Sequence, residues 1–452
     1  MANGKPRRKS IFGALVLIGI GTLVLLNNLR PGLELWELFS RWWPLLLILW
    51  GVTKLFENLA ARSAGETPPP TLTGGEIFLL IFLLFIGGAV RTIDGLGVND
   101  DRGIHLELPW FETYRSAEEV KTLKAVADKP LVVTNYRGDV SVQPHDSPEV
   151  RVTVSKSVRT SSQERADERM KQLELEIIEG ASTIDIKPKI IGSRFRRVRL
   201  HLQIQIPRKL AATVSTDNGD IHIQGLDGPV KAETMNGDVE IRDTGGEVNV
   251  GVKGGKVTVA GAKGTVKVSG RGGEIDVSDI AGEALIDGEF YGPIAVRNVS
   301  KGTHFRSQRT DLTIGQLPGR MEIVHGTLTI EDTSSDINLV TREKDIRMEK
   351  ISGRLRIVNT RGDIEVSYAR PPQGEVDITN QSGGVELILP EDSQFEIHAS
   401  TRSGDIENSF EDPGLKITQD GNTATLEGKR GTKGPQVRIK TSYGTVLLRK
   451  AS

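Results

Sequence analysis

From about residue 211 onward, the sequence alternates apolar and polar positions in short runs that recur with a fixed period. Apolar pairs separated by one polar residue begin at Ala212, Ile221 and Val230 and continue to Ile364, and 15 of the 17 steps between pairs are nine residues long. The other two steps are ten and seven residues long. Because alternate residues of a strand face the same side, this pattern predicts a series of short strands that each bury one face.

The segments between these strands predict tight corners of two alternating classes. Glycine precedes most pairs by two residues, as at Gly219 and Gly237, and glycine readily adopts the positive φ that a tight corner requires. One class carries a small or apolar residue, such as Leu226 in GLDG, and the other is mostly polar, as in TMNG at 234–237. This alternation doubles the nine-residue period to about 18 residues, with two strands per coil.

The fold class predicted from this period is an all-β parallel β-helix, a flattened solenoid of two sheets. A three-sided coil of 27 residues is the alternative geometry, but it would mix the two corner classes. A β-propeller needs roughly 40–50 residues per blade and does not fit the period.

The first 92 residues differ from the repeat and contain three apolar stretches. We predict transmembrane spans over about 11–29, 36–56 and 76–92, of which the first is free of charged residues. Lys5 and the basic residues that follow it at 7–9 precede the first span, so the N-terminus is expected to be cytoplasmic. Three spans would then place the repeat outside the cytoplasm, whereas two spans would place it inside.

These features predict a domain organisation with four parts: 1–92 transmembrane region, 93–130 juxtamembrane linker, 131–210 N-terminal cap of strands with a short helix, and 211–450 β-solenoid with a hairpin-like C-terminal closure at 437–448. The helix is predicted over 161–173, with a serine cap and Glu164 in its first turn. In the linker, Trp110, Phe111 and Tyr114 either lie at the lipid interface or pack on the first coil.

Two segments resemble known bacterial families. GALVLIGIGTLVLLNNL at 13–29 and WPLLLILWGVTKLFENL at 43–59 resemble the transmembrane region of LiaI/LiaF-like envelope proteins over about 10–58. LVVTNYRGDVSV at 131–142, VSTDNGDIHIQGLDGPV at 214–230 and VRIKTSYGTVLL at 437–448 resemble a β-solenoid family of candidate adhesins, domains of unknown function, over about 130–450. The second resemblance implies a parallel β-solenoid, and its Gly-Asp corner motifs are structural.

Composition and motifs then exclude several classes of function. The chain has 58 basic and 59 acidic residues, a balance that argues against a nucleic-acid-binding protein. It contains no cysteine, which removes thiol catalysis, cysteine-ligated zinc and disulfides. Its seven histidines form no HExxH motif, and no Gly-x-Ser-x-Gly is present. We therefore predict no catalytic residue, no cofactor and no metal site.

Five basic residues fall on or beside the polar corners and predict a basic binding edge: Arg271, Arg309, Arg342, Lys344 and Arg361. This edge would bind an acidic polymer of the cell envelope, while the alternative is a solvated face balanced by Asp and Glu.

The sequence as a whole favours a non-enzymatic, multi-pass protein of the bacterial cytoplasmic membrane. Its partners would be the lipid bilayer and either another envelope protein or an acidic envelope polymer, and nucleic acid is not expected. The extracytoplasmic solenoid would serve as a rigid scaffold for binding, adhesion or sensing of envelope stress. Two alternatives stay open: a membrane-tethered, carbohydrate-active β-helix enzyme, and a cytoplasmic regulatory scaffold.

Overall fold

A computed structural model describes residues 52, 112–116, 118–124, 129–160, 162–191 and 198–451. The chain divides into two compact units, Met1–Phe111 and Glu112–Ser452. Apart from Val52, the predicted spans lie outside the described residues. Within the described ranges, no helix combines the length and the apolar character needed to cross a bilayer.

The second unit consists of strands and a single described helix, α1 (Gln163–Met170). The strands are β1 (Glu112–Arg115), β2 (Glu119–Lys124), β3 (Leu131–Arg137), β4 (Val140–His145), β5 (Glu149–Thr160), β6 (Leu173–Glu179), β7 (Ile184–Ile190), β8 (Val198–Pro207), β9 (Ala212–Asn218), β10 (Ile221–Gln224), β11 (Val230–Asn236), β12 (Val239–Arg242), β13 (Val248–Val252), β14 (Val257–Ala260), β15 (Val266–Gly272), β16 (Ile275–Ile280), β17 (Glu283–Phe290), β18 (Ile294–Val299), β19 (Gly302–Arg306), β20 (Thr310–Ile314), β21 (Leu317–Val324), β22 (Thr327–Thr333), β23 (Ile337–Thr341), β24 (Asp345–Ile351), β25 (Leu355–Arg361), β26 (Ile364–Tyr368), β27 (Val376–Ser382), β28 (Val385–Leu389), β29 (Phe395–Ser403), β30 (Ile406–Asn408), β31 (Leu415–Asp420), β32 (Thr423–Arg430), β33 (Gln436–Tyr443) and β34 (Val446–Lys450).

These strands form two sheets that share one apolar interior. In sheet A, β1 and β2 both pair with β5, and the order continues β5-β8-β4-β10-β12-β14-β16-β18-β21-β22-β24-β26-β28-β34-β30. In sheet B, the order is β6-β7-β3-β9-β11-β13-β15-β17-β19-β20-β23-β25-β27-β33-β29-β32-β31. Along most of the chain, successive strands alternate between the two sheets.

The register confirms the predicted coil of two strands. In sheet A, Val239 lies between Ile221 and Val257, each 18 residues away, and Val230 has the equivalent position in sheet B between Ala212 and Val248. The first residue of every predicted pair from Ala212 to Ile364 is buried. The interior is therefore a stack of Val, Ile, Leu and Ala side chains from consecutive coils, as the alternating pattern predicts.

The corners form the two long edges of the solenoid. The apolar edge consists of the corners that lead from sheet A to sheet B, such as 225–228, together with the corner before Leu317, which leads from β20 in sheet B to β21 in sheet A. Its predicted inward residues are all buried: Leu226, Ala262, Ile280, Val299, Leu317 and Ile351. The polar edge consists of the corners that lead from sheet B to sheet A, such as 235–238. At Gly237 φ is +147°, and a Cβ there would lie 2.0 Å from the carbonyl oxygen of Gly219 in the neighbouring coil. Only glycine fits both conditions.

Hydrogen bonds between coils explain why Asp follows Gly on the polar edge. The Asp220 carboxylate accepts the backbone N–H of Asp238 at 2.8 Å, and the Asp238 carboxylate accepts that of Lys256 at 2.7 Å. Beneath the same edge, the buried Asn380 amide donates to the carbonyl of Gly362 at 2.9 Å. These side chains satisfy backbone groups that the corner removes from the strand ladder.

The prediction of a uniformly parallel solenoid is wrong for one coil. Strands β20 and β21 run in the reverse direction, antiparallel to their neighbours on both sides. The chain turns back between Arg306 and Asp311 within sheet B, and again at His325-Gly326 within sheet A. A four-residue connection can either cross between sheets or turn back within one sheet. The regular spacing through residues 303–321 therefore fits a corner and a hairpin equally well.

The prediction of a hairpin-like closure at 437–448 is also wrong. Strands β33 and β34 lie in opposite sheets, where β33 lies between β27 and β29 and β34 lies between β28 and β30. The N-terminal coil has an equivalent position, since β3 lies between β7 and β9 and β4 lies between β8 and β10. At both ends of the solenoid, an inner coil is therefore formed by residues near the chain terminus. The coil that covers it is formed by residues nearer the middle of the sequence.

The N-terminal cap contains the predicted helix and strand, together with two strands in the range predicted as linker. The Ser162 hydroxyl caps α1 by accepting the N–H of Arg165, and Ala166 and Met170 of this helix are buried. Strands β1 and β2 pair with β5, and Tyr114 of β1 packs against the core, which favours the second of its two predicted positions. Trp110 and Phe111 lie outside the described residues.

Candidate anion-binding edge

Four of the five basic residues predicted from the sequence converge where the winding reverses. Arg309 lies on the turn between β19 and β20, Arg342 and Lys344 lie on the corner between β23 and β24, and Arg361 ends β25. Arg309 and Arg361 contact Glu343, which lies between Arg342 and Lys344 in the sequence, and we call these four cations the basic cluster. The reversal is what brings Arg309 next to residues more than thirty positions later in the sequence.

Glu343 is shared between two of these cations. Its carboxylate oxygens lie 3.5 Å from the guanidinium of Arg309 on one side and 3.5 Å from that of Arg361 on the other. Both arginine side chains are 72% exposed, so their remaining N–H groups are open to solvent. One carboxylate therefore faces two guanidinium groups, with Arg342 and Lys344 immediately beside it in the chain.

Lys344 has the least solvated charge of the basic cluster. Its side chain is half-buried, and its backbone carbonyl accepts the amide of Asn359 at 2.9 Å. Burial lowers the pKa of the Lys344 ammonium below its ordinary value, and the positive charge of Arg309 lowers that pKa further. An anion bound here would offset both effects, because it would stabilise the charged form of the lysine.

The charges on the sheet faces are balanced differently. There, basic residues lie close to carboxylates of adjacent strands, as in Arg347 to Glu365 at 2.8 Å, Arg320 to Glu331 at 2.6 Å and Lys267 to Glu247 at 2.7 Å. In the basic cluster, two guanidinium groups instead share the Glu343 carboxylate at 3.5 Å, and the nearby carboxylates of Asp345 and Asp363 accept backbone N–H groups. The sheet faces match the alternative of a solvated surface with paired charges, whereas in the basic cluster two highly exposed arginines share a single carboxylate.

Arg271, the fifth predicted residue, lies apart from the basic cluster. It is in β15, opposite Glu289 of β17 on the next coil, and the Glu289 carboxylate accepts the backbone N–H of Gln308 at 2.7 Å. The corner that carries Glu289 therefore separates Arg271 from the turn that carries Arg309. The polar edge thus has two separate groups of positive charge.

A hydrogen-bonded chain of Ser157, His201 and Asp139 was not predicted from the sequence. The Ser157 hydroxyl lies 2.9 Å from Nε2 of His201, and Nδ1 of His201 lies 3.2 Å from the Asp139 carboxylate. The hydrogen bond with His201 lowers the pKa of Asp139, against the opposing effect of burial. These residues are 44 and 62 positions apart, so no local motif signals their proximity.

The solvent exposure of Ser157 and Asp139 is the reverse of what serine catalysis requires. Ser157 is only 5% exposed, whereas the side chain of Asp139 is 52% exposed. A catalytic serine must reach its substrate, while the acid of a catalytic triad is buried behind the histidine. The arrangement instead connects β4, β5 and β8. In the part of the chain that the structure describes, no three His, Asp or Glu side chains are placed to hold a metal ion.

Two family models match the sequence. The Toastrack DUF4097 model matches residues 129–449, and the LiaF transmembrane domain model matches residues 12–98. No curated protein matches the chain significantly.

Several solved structures share low sequence identity with the chain. A candidate cell adhesion protein from Clostridium sporogenes is 10% identical, with 74% of this chain and 99% of that chain covered and a TM-score of 0.17. A candidate adhesin from Bacteroides fragilis is 9% identical, with coverage of 74% and 97% and a TM-score of 0.21. A candidate lipid binding protein from Parabacteroides distasonis is 11% identical, with coverage of 74% and 97% and a TM-score of 0.16.

Proposed function

Because the chain belongs to the Toastrack DUF4097 family and its N-terminal part matches a LiaF transmembrane domain, we propose that it is a membrane-anchored protein of the bacterial envelope whose solenoid binds an acidic envelope polymer. The observation that carries this proposal is the basic cluster, in which Arg309 and Arg361 share Glu343 on one exposed edge and Arg342 and Lys344 flank Glu343 in the chain. Successive coils are about 4.8 Å apart, so charges on neighbouring corners form a linear array suited to a linear polyanion.

The proposed location has three membrane spans, a cytoplasmic N-terminus and an extracytoplasmic solenoid. Support comes from the three apolar stretches, the basic residues before the first stretch and the LiaF transmembrane match. The absence of cysteine allows a direct test with the variant Ser300→Cys, since Ser300 is exposed on the apolar edge. A membrane-impermeant maleimide should label this variant in intact cells. Labelling only after lysis would place the solenoid in the cytoplasm.

Binding can be tested on the full-length protein in nanodiscs with inorganic polyphosphate and oligogalacturonate as probes. The triple variant Arg309→Gln, Arg342→Gln and Arg361→Gln should bind both probes about tenfold more weakly, if each exposed charge contributes ~0.5 kcal/mol. The dependence of affinity on salt should also become shallower.

The matched control removes three arginines from the outer face of sheet A, where each is paired with a carboxylate: Arg297→Gln, Arg320→Gln and Arg347→Gln. This control changes the net charge by the same amount and should bind nearly as well as the wild type. Equal losses of affinity in the two triple variants would show that binding depends only on net charge and would overturn the proposal. Turnover of a saccharide probe by the protein would replace it with the enzymatic alternative.

A further inference from the structure

Tyr291 extends from the polar edge beside Arg271. The corner between β17 and β18 is one residue longer than its neighbours, which accounts for the single ten-residue step in the repeat. Phe290 of this corner packs against the core, whereas Tyr291 is 84% exposed, more than any other large hydrophobic side chain in the described ranges. The extra residue therefore presents an aromatic ring to solvent instead of filling the interior.

Backbone without side chains lies next to this ring. The N–H of Tyr291 donates to the carbonyl of Gly272 at 3.1 Å, and the N–H of Gly273 donates to that of Gly255 at 2.8 Å, so three successive corners adjoin. Gly254 and Gly273 have no positive φ, and the nearest atoms to an added Cβ would lie 3.5 and 3.4 Å away. The fold would accept side chains at both positions, and glycine there leaves the backbone open to close approach by a ligand.

Two cations that form no side-chain ion pair flank the same surface. Lys253 and Arg271 are exposed, and neither side chain has an ion pair or hydrogen bond within the described part of the chain. Lys256, three residues after Lys253 on the same corner, is instead paired with Glu274 at 2.7 Å. The surface thus combines an exposed aromatic ring, accessible backbone and two cations without ion pairs, with Glu289 opposite Arg271 on the next coil.

We propose that Tyr291, Lys253 and Arg271 form a subsite for a sugar ring that carries an acidic group. The apolar C–H face of the sugar stacks on the phenol ring, and its carboxylate or phosphate pairs with the two cations. The tyrosine ring would add no affinity for polyphosphate, which contains no sugar ring. The two cations would add no affinity for a neutral glycan. This inference rests on the proposed function and specifies the polymer as an acidic polysaccharide.

The test compares three probes on the full-length protein in nanodiscs: oligogalacturonate, a neutral glucan oligosaccharide of equal length, and inorganic polyphosphate. Tyr291→Ala should weaken oligogalacturonate binding about tenfold and leave polyphosphate binding within about twofold. Tyr291→Phe should retain wild-type affinity, because the ring face and not the hydroxyl makes the contact. The neutral oligosaccharide should bind far more weakly than the acidic one.

Two further variants localise the site. Gly254→Leu places a side chain on the open backbone and should weaken oligogalacturonate binding while the melting temperature stays unchanged, since the position has room for a Cβ. Tyr443→Ala removes another exposed tyrosine of the polar edge, 55% exposed, and should have no effect on binding. Equal effects of Tyr291→Ala and Tyr443→Ala would overturn the subsite.

The two proposals fail in different ways. If the triple variant of the basic cluster loses binding but Tyr291→Ala does not, the saccharide subsite is wrong and the polyanion edge remains. If none of the acidic probes binds the wild type, the proposed function itself is wrong.

Discussion

At the scale of the residue, the first position of the five successive apolar corners from Gly225 to Asn298 has a left-handed backbone. The φ values there are +73° at Gly225, +52° at Asp243, +71° at Gly261, +58° at Asp279 and +50° at Asn298. Asp and Asn tolerate this region, which explains why the position alternates among Gly, Asp and Asn. On the polar edge φ is larger, as at Gly237, and only glycine is tolerated.

Lys350 occupies the same apolar-corner position with φ of +54° but lacks a short polar side chain. We expect Lys350→Asn to raise the free energy of unfolding by about 0.5–1 kcal/mol, because asparagine relieves the backbone strain at this φ. Glycine would also relieve it but would increase the conformational entropy of the unfolded chain. Urea denaturation of the variant measures this gain. The control Lys263→Asn, at an exposed corner position without positive φ, should leave stability unchanged, and an equal gain there would contradict the explanation.

Val257 tests which face of a strand is interior. Its side chain is fully buried, so Val257→Asp should cost more than about 4 kcal/mol and unfold the surrounding coils. Thr258, the next residue, faces outward between Glu240 and Asp276 of the adjacent strands. Thr258→Lys should therefore be tolerated, whereas Thr258→Asp should lower the melting temperature moderately through like-charge repulsion. Equal melting temperatures for Val257→Asp and Thr258→Lys would refute this register.

At the scale of the element, two hairpin turns produce the reversed coil. In the first, the Ser307 hydroxyl accepts the N–H groups of Arg309 at 3.3 Å and Thr310 at 3.1 Å. In the second, His325 and Gly326 have φ values of +47° and +91°, the pattern of a type I′ turn. These turns place the basic cluster, because they bring Arg309 to the corner that contains Glu343.

His325 is an uncommon first residue for this turn, where asparagine is preferred. His325→Asn should keep the fold and raise the melting temperature by a few degrees, whereas the β-branched variant His325→Val should lower it. Thermal denaturation followed by circular dichroism measures both. The opposite order of melting temperatures would show that the turn does not control the reversal.

At the scale of the whole molecule, the solenoid is interleaved at both ends. The inner coil of β33 and β34 supports the outer strands β29 and β30, and β30 has β34 as its strand partner in sheet A. Unwinding from the C-terminal end therefore removes an internal coil before the external one. This order couples the end of the chain to the coils on both sides.

Deletion of residues 436–452 tests this coupling. We expect residues 395–430 to lose protection from hydrogen exchange together, because β29 and β30 lose their parallel neighbours. Coils near Val257, far from this end in the strand order, should keep their protection. If 395–430 stayed protected, β33 and β34 would be a terminal closure, as the sequence predicts, and the interleaved order would be wrong.

The sequence by itself determined the strands, their buried faces and the two corner classes. These are local properties: period-two alternation sets the face of Val257, and the φ of a single corner selects Gly, Asp or Asn. All five basic residues could likewise be assigned to the polar edge from their positions in the repeat. The approach of Arg309 and Arg361 to Glu343 could not, because it depends on contacts between coils.

Only the tertiary structure decided where the chain reverses and which coil stacks on which. A backbone ladder accepts any neighbour of suitable register, so the spacing of apolar pairs around Thr303 and Leu312 fits a corner or a hairpin. For the same reason, residues 437–448 fit an inner coil as well as an outer one. The hydrogen bonds between coils that settle these choices join residues far apart in sequence, and no local pattern encodes them.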